Sequence, residues 1–531
     1  MPAVRFPRWQ PTSGSGRTPE TEGWHSGPVS AKRTTRRTGA SAGSPAPSPE
    51  PAPPKHVVVV GGGISGLAAA WYLVRTHTDI EVTLLEAAPH VGGKLAVSDV
   101  AGIAVDEGAE SFVASRPEAL RLAREVGLET DLVSPRVFQA SLFSRGRIRE
   151  MPRGQFMGIP TDLRSLAASE VLSPAGLLRV PLDRVIAPTP LGQDVSVGEF
   201  ITARVGREVV DRLVEPLLGG VYAGRADALS MQATMPVLFR ELRHDRSLLS
   251  ATRRVAGGGM EAAGARRGLP FRGVVGGVGR VPGAMAAALV GSGVQIRTRT
   301  TVRGLTATES GWDIEVGPAS SPELIHADGV IVATPAAPAA RLLADVVPAV
   351  ALELSAIEAA SVAVIALAYR AADVRLHTSG SGLLIPPVEG RMVKAVTFLD
   401  QKWGWLNEAA EREGVRLLRV SIGRHGDTEV LQRTDEELVE LARIDLAHVL
   451  GIDAQPIDSR VTRWGGSLPQ YAVGHRARLE RISQGLRDQP SLALCGASYD
   501  GVGVAACVGS AYEAAGRVAH ALVEAPGGRR G

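Results

Sequence analysis

"HVVVVGGGISGLAAAWYLV", residues 56–74, decides the fold. Four consecutive valines after His56 make a β-branched run suited to a strand buried on both faces, and Ile64–Val74 continues with helical character. Between them stands Gly61-x-Gly63-x-x-Gly66. Gly61 permits the tight turn, Gly63 lets a pyrophosphate approach the backbone, and Gly66 packs helix on strand. The phosphates then meet free N–H groups at the helix N-terminus. This strand, loop and helix predict an α/β fold with a Rossmann-like nucleotide domain, its loop lined by Gly61, Gly62, Gly63, Ile64, Ser65 and Gly66. "EVTLLE", residues 81–86, supplies a second strand ending at Glu86, 20 residues after Gly66. Glu86, with Ala87 beside it, is placed to accept hydrogen bonds from a ribose 2′-OH and to disfavour a 2′-phosphate. NAD and FAD share this fingerprint, so the spacing leaves both open.

The rest of the composition narrows the class. The chain has 531 residues, 44 % hydrophobic and 21 % charged, as expected of a globular protein of several domains. Its formal net charge of +3 is misleading as evidence for nucleic-acid binding. Residues 1–54 hold seven Lys/Arg against three Asp/Glu, leaving 55–528 with 49 basic and 52 acidic side chains. A basic surplus confined to tails builds no binding groove. Two cysteines, Cys495 and Cys507, make neither a disulfide framework nor a thiolate metal site, and they suit a reducing compartment. No apolar run reaches the ~18 residues of a membrane span. Residues 1–54, rich in Pro, Ser, Gly and Arg, read as disordered.

Strand-like runs recur at "GVQIRTRTTVRGLTATESGWDIEVG" (293–317), "ADGVIVATP" (327–335) and "PSLALCGASYDGVG" (490–503). A nucleotide domain returning from three separated segments implies that the intervening ones form a second domain. The stretch 138–271 is mostly helical by pattern, while 336–461 mixes strands with helices. "TRRVAGGGMEAAGARRGLP", 252–270, reads as a mobile surface loop.

"GGK", Gly92–Lys94, follows Glu86, and "VDEGAESF", residues 105–112, follows that. In this order the chain resembles the FAD-dependent amine oxidase superfamily, which implies FAD as cofactor. "EPLLGGVYAGRADALSMQATMP" (215–236), "KAVTFLDQKW" (394–403), "RWGGSLPQYAVGH" (463–475) and "DGVGVAACVGS" (500–510) look like bacterial coproporphyrinogen and protoporphyrinogen oxidases. The resemblance covers residues 55–525. It implies FAD-binding segments at 55–137, 272–335 and 462–525, a helical substrate or membrane-facing lobe at 138–271, a substrate-binding sheet domain at 336–461, and a tail at 526–531. Cofactor contacts are expected from Gly93, Lys94, Gly108, Ala109, Glu110, Ser111, Val302, Trp464, Gly503, Val504, Ala505 and Ala506, besides the first loop and Glu86–Ala87. Where the family reads Pro-Asp, this chain has Ala505-Ala506, which removes a polar group near the flavin.

The implied reaction is removal of six electrons from a porphyrinogen in three steps, with O₂ as acceptor and hydrogen peroxide released. Coproporphyrinogen III is the expected substrate and protoporphyrinogen IX the runner-up. Pyrrole nitrogens expel the hydride, so no catalytic side chain and no metal are expected; the site holds a bridge carbon ~3–3.5 Å from flavin N5 and excludes water. The resemblance puts Arg116 opposite a propionate, which a guanidinium grips with two parallel bonds. Tyr471 and His475 read as scaffold. Lysine is rare, five against 53 arginines, so Lys94, Lys394 and Lys402 mark positions of constraint. The expected setting is cytoplasmic, with peripheral membrane contact through 150–185 and handover of product to the next heme-pathway enzyme as further options. Rival readings are an NADPH-dependent flavin monooxygenase, on Gly277-x-Gly279 with Arg297 and Arg299, an amine oxidase or desaturase, and a porphyrin carrier without activity.

Overall fold

Val57 to Val60 are fully or almost fully buried, and they alternate between two cores. Val57 and Val59 face a cluster built on the helices Ile64–Thr76 and Val504–Glu524, while Val58 and Val60 face one containing Trp312, Ile314 and Leu343. A strand apolar on both faces becomes the middle of a layered α/β structure. In the computed structural model this strand, Lys55–Val60, is central in a five-stranded parallel sheet. The order is Gln295–Arg297, Ile80–Leu85, Lys55–Val60, Gly329–Val332, Leu492–Leu494. Three separated chain segments thus share one sheet. The structure describes residues 53–264, 271–378 and 380–524; the expectations of a disordered extension over 1–54 and a tail at 526–531 fall, but for Pro53 and Pro54, outside these.

A seven-stranded mixed sheet forms the second layer system, in the order Asp458–Pro469, Ala359–Arg370, Val415–Ile422, Val393–Phe398, Gly382–Leu384, Ala140–Ser144, Arg147–Glu150. All its pairings are antiparallel except Gly382–Leu384 with Ala140–Ser144. The last two strands come from the segment read as helical, so the sheet recruits a hairpin from the start of that segment. Beyond a short second hairpin, Gln155–Phe156 with Ile159–Pro160, the remainder of the described segment is mainly helical and has its own core, with Phe200, Ile201, Val210, Leu213, Leu218 and Phe239. Among the described residues no helix is long and apolar enough to cross a membrane.

The expectation of a loop over 252–270 is corrected: Leu248–Gly264 is one helix, and 265–270 lie outside the described residues. Tertiary contacts override the glycines. Leu248, Leu249 and Ala251 are buried, and the Asp183 carboxylate accepts the N–H groups of Leu248 (3.1 Å) and Leu249 (2.9 Å) and the Ser247 hydroxyl (2.6 Å). That cap supplies partners that a helix N-terminus lacks on its own. The same carboxylate pairs with Arg204 Nε at 2.6 Å, and both side chains are fully buried.

"PQYAVGH" bolts this lobe to the end of the parallel sheet. The Tyr471 hydroxyl donates to the carbonyl of Ala497 (2.7 Å) and accepts the N–H of Gly501 (2.8 Å). His475 stacks under the phenol ring at 4.1 Å and contacts the Tyr499 carbonyl through Nε2 at 3.3 Å. Asp194 accepts from Gly474 N (2.8 Å) and from the Ser230 hydroxyl (2.6 Å). Burial drives the His475 pKa down to about 4, beyond what the Tyr499 carbonyl restores.

Two stability predictions follow from these contacts. Asp183→Asn leaves Arg204 charged and uncompensated in the interior, and is expected to cost about 3–5 kcal/mol in denaturant unfolding. His475 is held neutral in the folded protein but titrates near 6.5 once unfolded, so its contribution is complete above pH 6.5 and is lost as pH falls toward 4. The full loss is roughly 3 kcal/mol. Thermal unfolding followed across this window should show a shallower pH slope in His475→Gln than in the parent.

Candidate functional site

The first glycine loop has the geometry that its spacing requires. A Cβ on Gly66 would lie 1.8 Å from the carbonyl oxygen of Gly61, so the helix can approach the turn only because position 66 has no side chain. A Cβ on Gly63 would meet nothing within 4 Å, so this edge faces open space. No side chain caps the helix that begins at Ile64, leaving its first N–H groups, including those of Ile64 and Ser65, available to an anion. Glu86 accepts Gly62 N (2.6 Å) and Ala88 N (2.7 Å), which fixes the carboxylate beside the loop and leaves lone pairs for a sugar hydroxyl.

Other expected positions converge here. Gly92 N donates to Gly62 O at 2.8 Å, and a Cβ on Gly93 would lie 3.2 Å from Gly63 Cα. Arg299 N and Thr300 N donate to the carbonyls of Ala88 and Glu86, which brings the strand opening at Val302 alongside Glu86–Ala87. From the C-terminal side, a Cβ on Gly496 would lie 3.7 Å from Ser65 Oγ. Gly503 faces open space, and the helix starting at Val504 makes its first backbone bond from Cys507 N to Gly503 O, so the N–H groups of Val504, Ala505 and Ala506 precede it. Ala505 and Ala506 are buried, and Ala506 Cβ would be 2.8 Å from a Cβ on Gly501. The small Ala506 side chain therefore packs on the turn.

Residues 105–111 are held from several sides. A Cβ on Gly108 would lie 2.0 Å from Lys94 O, so the two segments touch through bare backbone. Trp464 Nε1 donates to the carbonyl of Glu107 at 2.9 Å, and Arg419 Nη1 donates to that of Gly108 at 3.0 Å. Glu110 is buried and ion-paired with Lys402 and with Arg419. Burial works to raise its carboxyl, but Arg419 and then Lys402 outweigh this and hold it down at about 2. The Glu110 side chain is thus engaged by the mixed sheet, with Ala109 and Ser111 flanking it in the backbone. Lys94, expected at the cofactor, turns its ammonium to the Ser467 carbonyl, and burial pushes its pKa below the lysine range.

Asp106 is the residue that reading the sequence missed. Its carboxylate accepts Val278 N (3.0 Å) and Gly279 N (2.9 Å), at the start of the helix Arg280–Gly291. Burial pushes its carboxyl up to about 6 against these donors. The NADPH-binding reading of Gly277-x-Gly279 fails on this contact, because a protein carboxylate already fills the place a phosphate would take. Arg297 is also committed, in a two-bond pair with Glu323. Arg116 is exposed just before the helix Pro117–Glu125 and contributes a positive charge near Tyr222. Among the described residues no group of acidic, His or Cys side chains is arranged to hold a metal.

Two uncapped helix starts, open glycine edges and an anchored ribose carboxylate fit FAD. When bound, FAD supplies a two-electron acceptor; Gly61–Gly66, Glu86 and 503–506 are the residues that could hold it, with the 105–111 segment placed to shield it.

Comparison with known proteins agrees. The family model described as flavin containing amine oxidoreductase matches residues 64–519. A coproporphyrinogen III oxidase of Bacillus subtilis is 32 % identical over 86 % of this chain and 96 % of its own length. One from Mycobacterium bovis is 35 % identical over 89 % and 98 %. A protoporphyrinogen oxidase of Bos taurus is 30 % identical over 87 % and 98 %. A crystal structure from an Exiguobacterium species, described as a protoporphyrinogen oxidase, superimposes with a TM-score of 0.76 at 29 % identity, covering 87 % of this chain and 98 % of that one. Cyclohexylamine oxidase of Brevibacterium oxydans, at 17 % identity and a TM-score of 0.61 over 89 % and 100 %, shares the fold. The chain is a member of the flavin containing amine oxidoreductase family, an FAD-dependent oxidoreductase of its coproporphyrinogen III and protoporphyrinogen oxidase branch.

Proposed function

We propose that the protein oxidises coproporphyrinogen III to coproporphyrin III. The conversion removes six electrons and six protons from the macrocycle while three O₂ are reduced to three hydrogen peroxide; FAD, when bound, would serve as the two-electron acceptor, and the chain's own residues would hold the macrocycle against it and exclude water. The observation that carries the reading is identity of 30–35 % along nearly the whole length of relatives named coproporphyrinogen III oxidase. Protoporphyrinogen IX is the second reading, favoured by the bovine relative and the Exiguobacterium structure. The two substrates differ in charge, four propionates against two.

In this reading Arg116 binds a propionate through its guanidinium, and Trp464 with the 105–111 backbone forms the wall that keeps bulk water from the reacting carbon. The Lys402–Glu110–Arg419 cluster positions that wall. We assign the enzyme to the cytoplasm, which suits an anionic, water-soluble substrate and two free cysteines. Leu178, Leu182 and Val185, 73 %, 45 % and 77 % exposed beside Arg179 and Arg184, form the surface where a peripheral bilayer contact would be made.

Anaerobic mixing with coproporphyrinogen III is expected to bleach the flavin absorbance and air to restore it with peroxide formation, while NADPH or a primary amine leaves the spectrum unchanged. A flavin that no porphyrinogen reduces would refute the assignment. Arg116→Leu is expected to raise KM for coproporphyrinogen III roughly tenfold, the worth of one charge-assisted bond, with a smaller effect on kcat; steady-state kinetics decide.

A further inference from the structure

Lys394 is 7 % exposed, and among the described residues its Nζ makes no hydrogen bond or ion pair. It lines a narrow, partly open recess with Arg424, Glu215, Pro216, Gly219, Gly224, Ile385 and Pro387. Arg424 is half-buried and makes only two long contacts, to the carbonyls of Arg391 and Ile385, both at 3.4 Å. The one carboxylate in the lining, Glu215, is committed to the N–H of Ala226 at 2.7 Å and forms no ion pair with either cation. Nearby carboxylates are engaged elsewhere: Asp445 with Val393 N and Arg391, Asp427 with Arg225. Two cations therefore line one recess in which, among the described residues, neither makes a salt bridge, although the charges of Asp427, Glu215 and Asp445 act on Arg424 from nearby. Burial first, then the Arg424 charge, pushes Lys394 down to about 7. Such a pair is costly when empty and is relieved by an anion.

The recess sits next to the site already described. Gly224 in its wall would place a Cβ 2.3 Å from Gln470 Oε1, and Gln470 Nε2 donates to Tyr222 O at 2.8 Å. Tyr222 packs on Tyr471, which holds Gly501 in the second glycine turn. The Tyr222 phenol also feels the charge of Arg116. Arg116 and the Lys394–Arg424 pair thus flank the same Tyr222–Gly224 turn. A flat macrocycle lying against that turn would present its rim carboxylates to both.

We propose that Lys394 and Arg424 bind a substrate carboxylate, one of the propionates that coproporphyrinogen III carries and protoporphyrinogen IX lacks, and so set preference between them. This rests on the porphyrinogen oxidase reading above. The carboxylate displaces water from the recess, meets the ammonium and the guanidinium together, and leaves Glu215 on its backbone donor.

The test compares steady-state kinetics of the flavin-loaded enzyme and of Lys394→Met on both porphyrinogens. The expected result is a KM for coproporphyrinogen III raised at least tenfold relative to that for protoporphyrinogen IX, with flavin content and Tm near the parent's. Lys394→Arg, which keeps the charge, should recover part of the discrimination. Arg424→Gln, entering from a different strand end, repeats the measurement if Lys394→Met does not retain flavin. Equal changes for the two substrates, or none, in a flavin-loaded variant overturn the proposal and leave the parent reading standing. A parent enzyme that oxidises neither porphyrinogen removes the reading on which the proposal rests.

Discussion

Glu110 is a carboxylate placed where burial alone would keep it protonated, and it is ionised because Arg419 and Lys402 come to it from the mixed sheet and the short helix behind it. This contact ties the 105–111 segment to the mixed sheet. The segment that carries Glu110 also touches Lys94 through bare backbone at Gly108, receives Trp464 at Glu107, and sends the Asp106 carboxylate under the helix at Arg280. Seven residues thereby connect the first glycine loop, the central nucleotide segment and the sheet domain. A buried pair of opposite charges stabilises less than its Coulomb energy suggests, but losing one partner strands the other. That asymmetry makes the geometry of the site sensitive to one side chain.

A second tie works through neutral groups. Tyr471 bridges Ala497 and Gly501 while its ring is stacked on His475, so the turn that leads into the C-terminal helix is set by the helical lobe. The second glycine turn is therefore shaped by contacts from outside the parallel-sheet layer. Position 506 packs against Gly501 in a turn already anchored at both ends.

Legibility in the sequence followed how local each interaction is. The strand, loop and helix of residues 55–76 could be read because β-branched runs, glycine spacing and the 20-residue interval to Glu86 act within one short stretch. The helix Leu248–Gly264 could not, because glycine propensity points the other way and its local Ser247 cap is completed by Asp183, distant in sequence. Arg424 carried no signal at all in an arginine-rich chain, whereas Lys394 and Lys402 stood out as lysines and both prove to be buried or ion-paired.

By itself the sequence determined the α/β class, the nucleotide loop, the family and hence the flavin, since these rest on residue types at fixed short spacings. Only the tertiary structure decided what the charged side chains do. It turned Lys94 to a carbonyl, gave Asp106 the helix start that resembled a second nucleotide site, and set Lys394 beside Arg424 in one recess. The physical reason is that a charge acquires its role from partners brought within a few ångströms by folding, and partners hundreds of residues away leave no pattern along the chain.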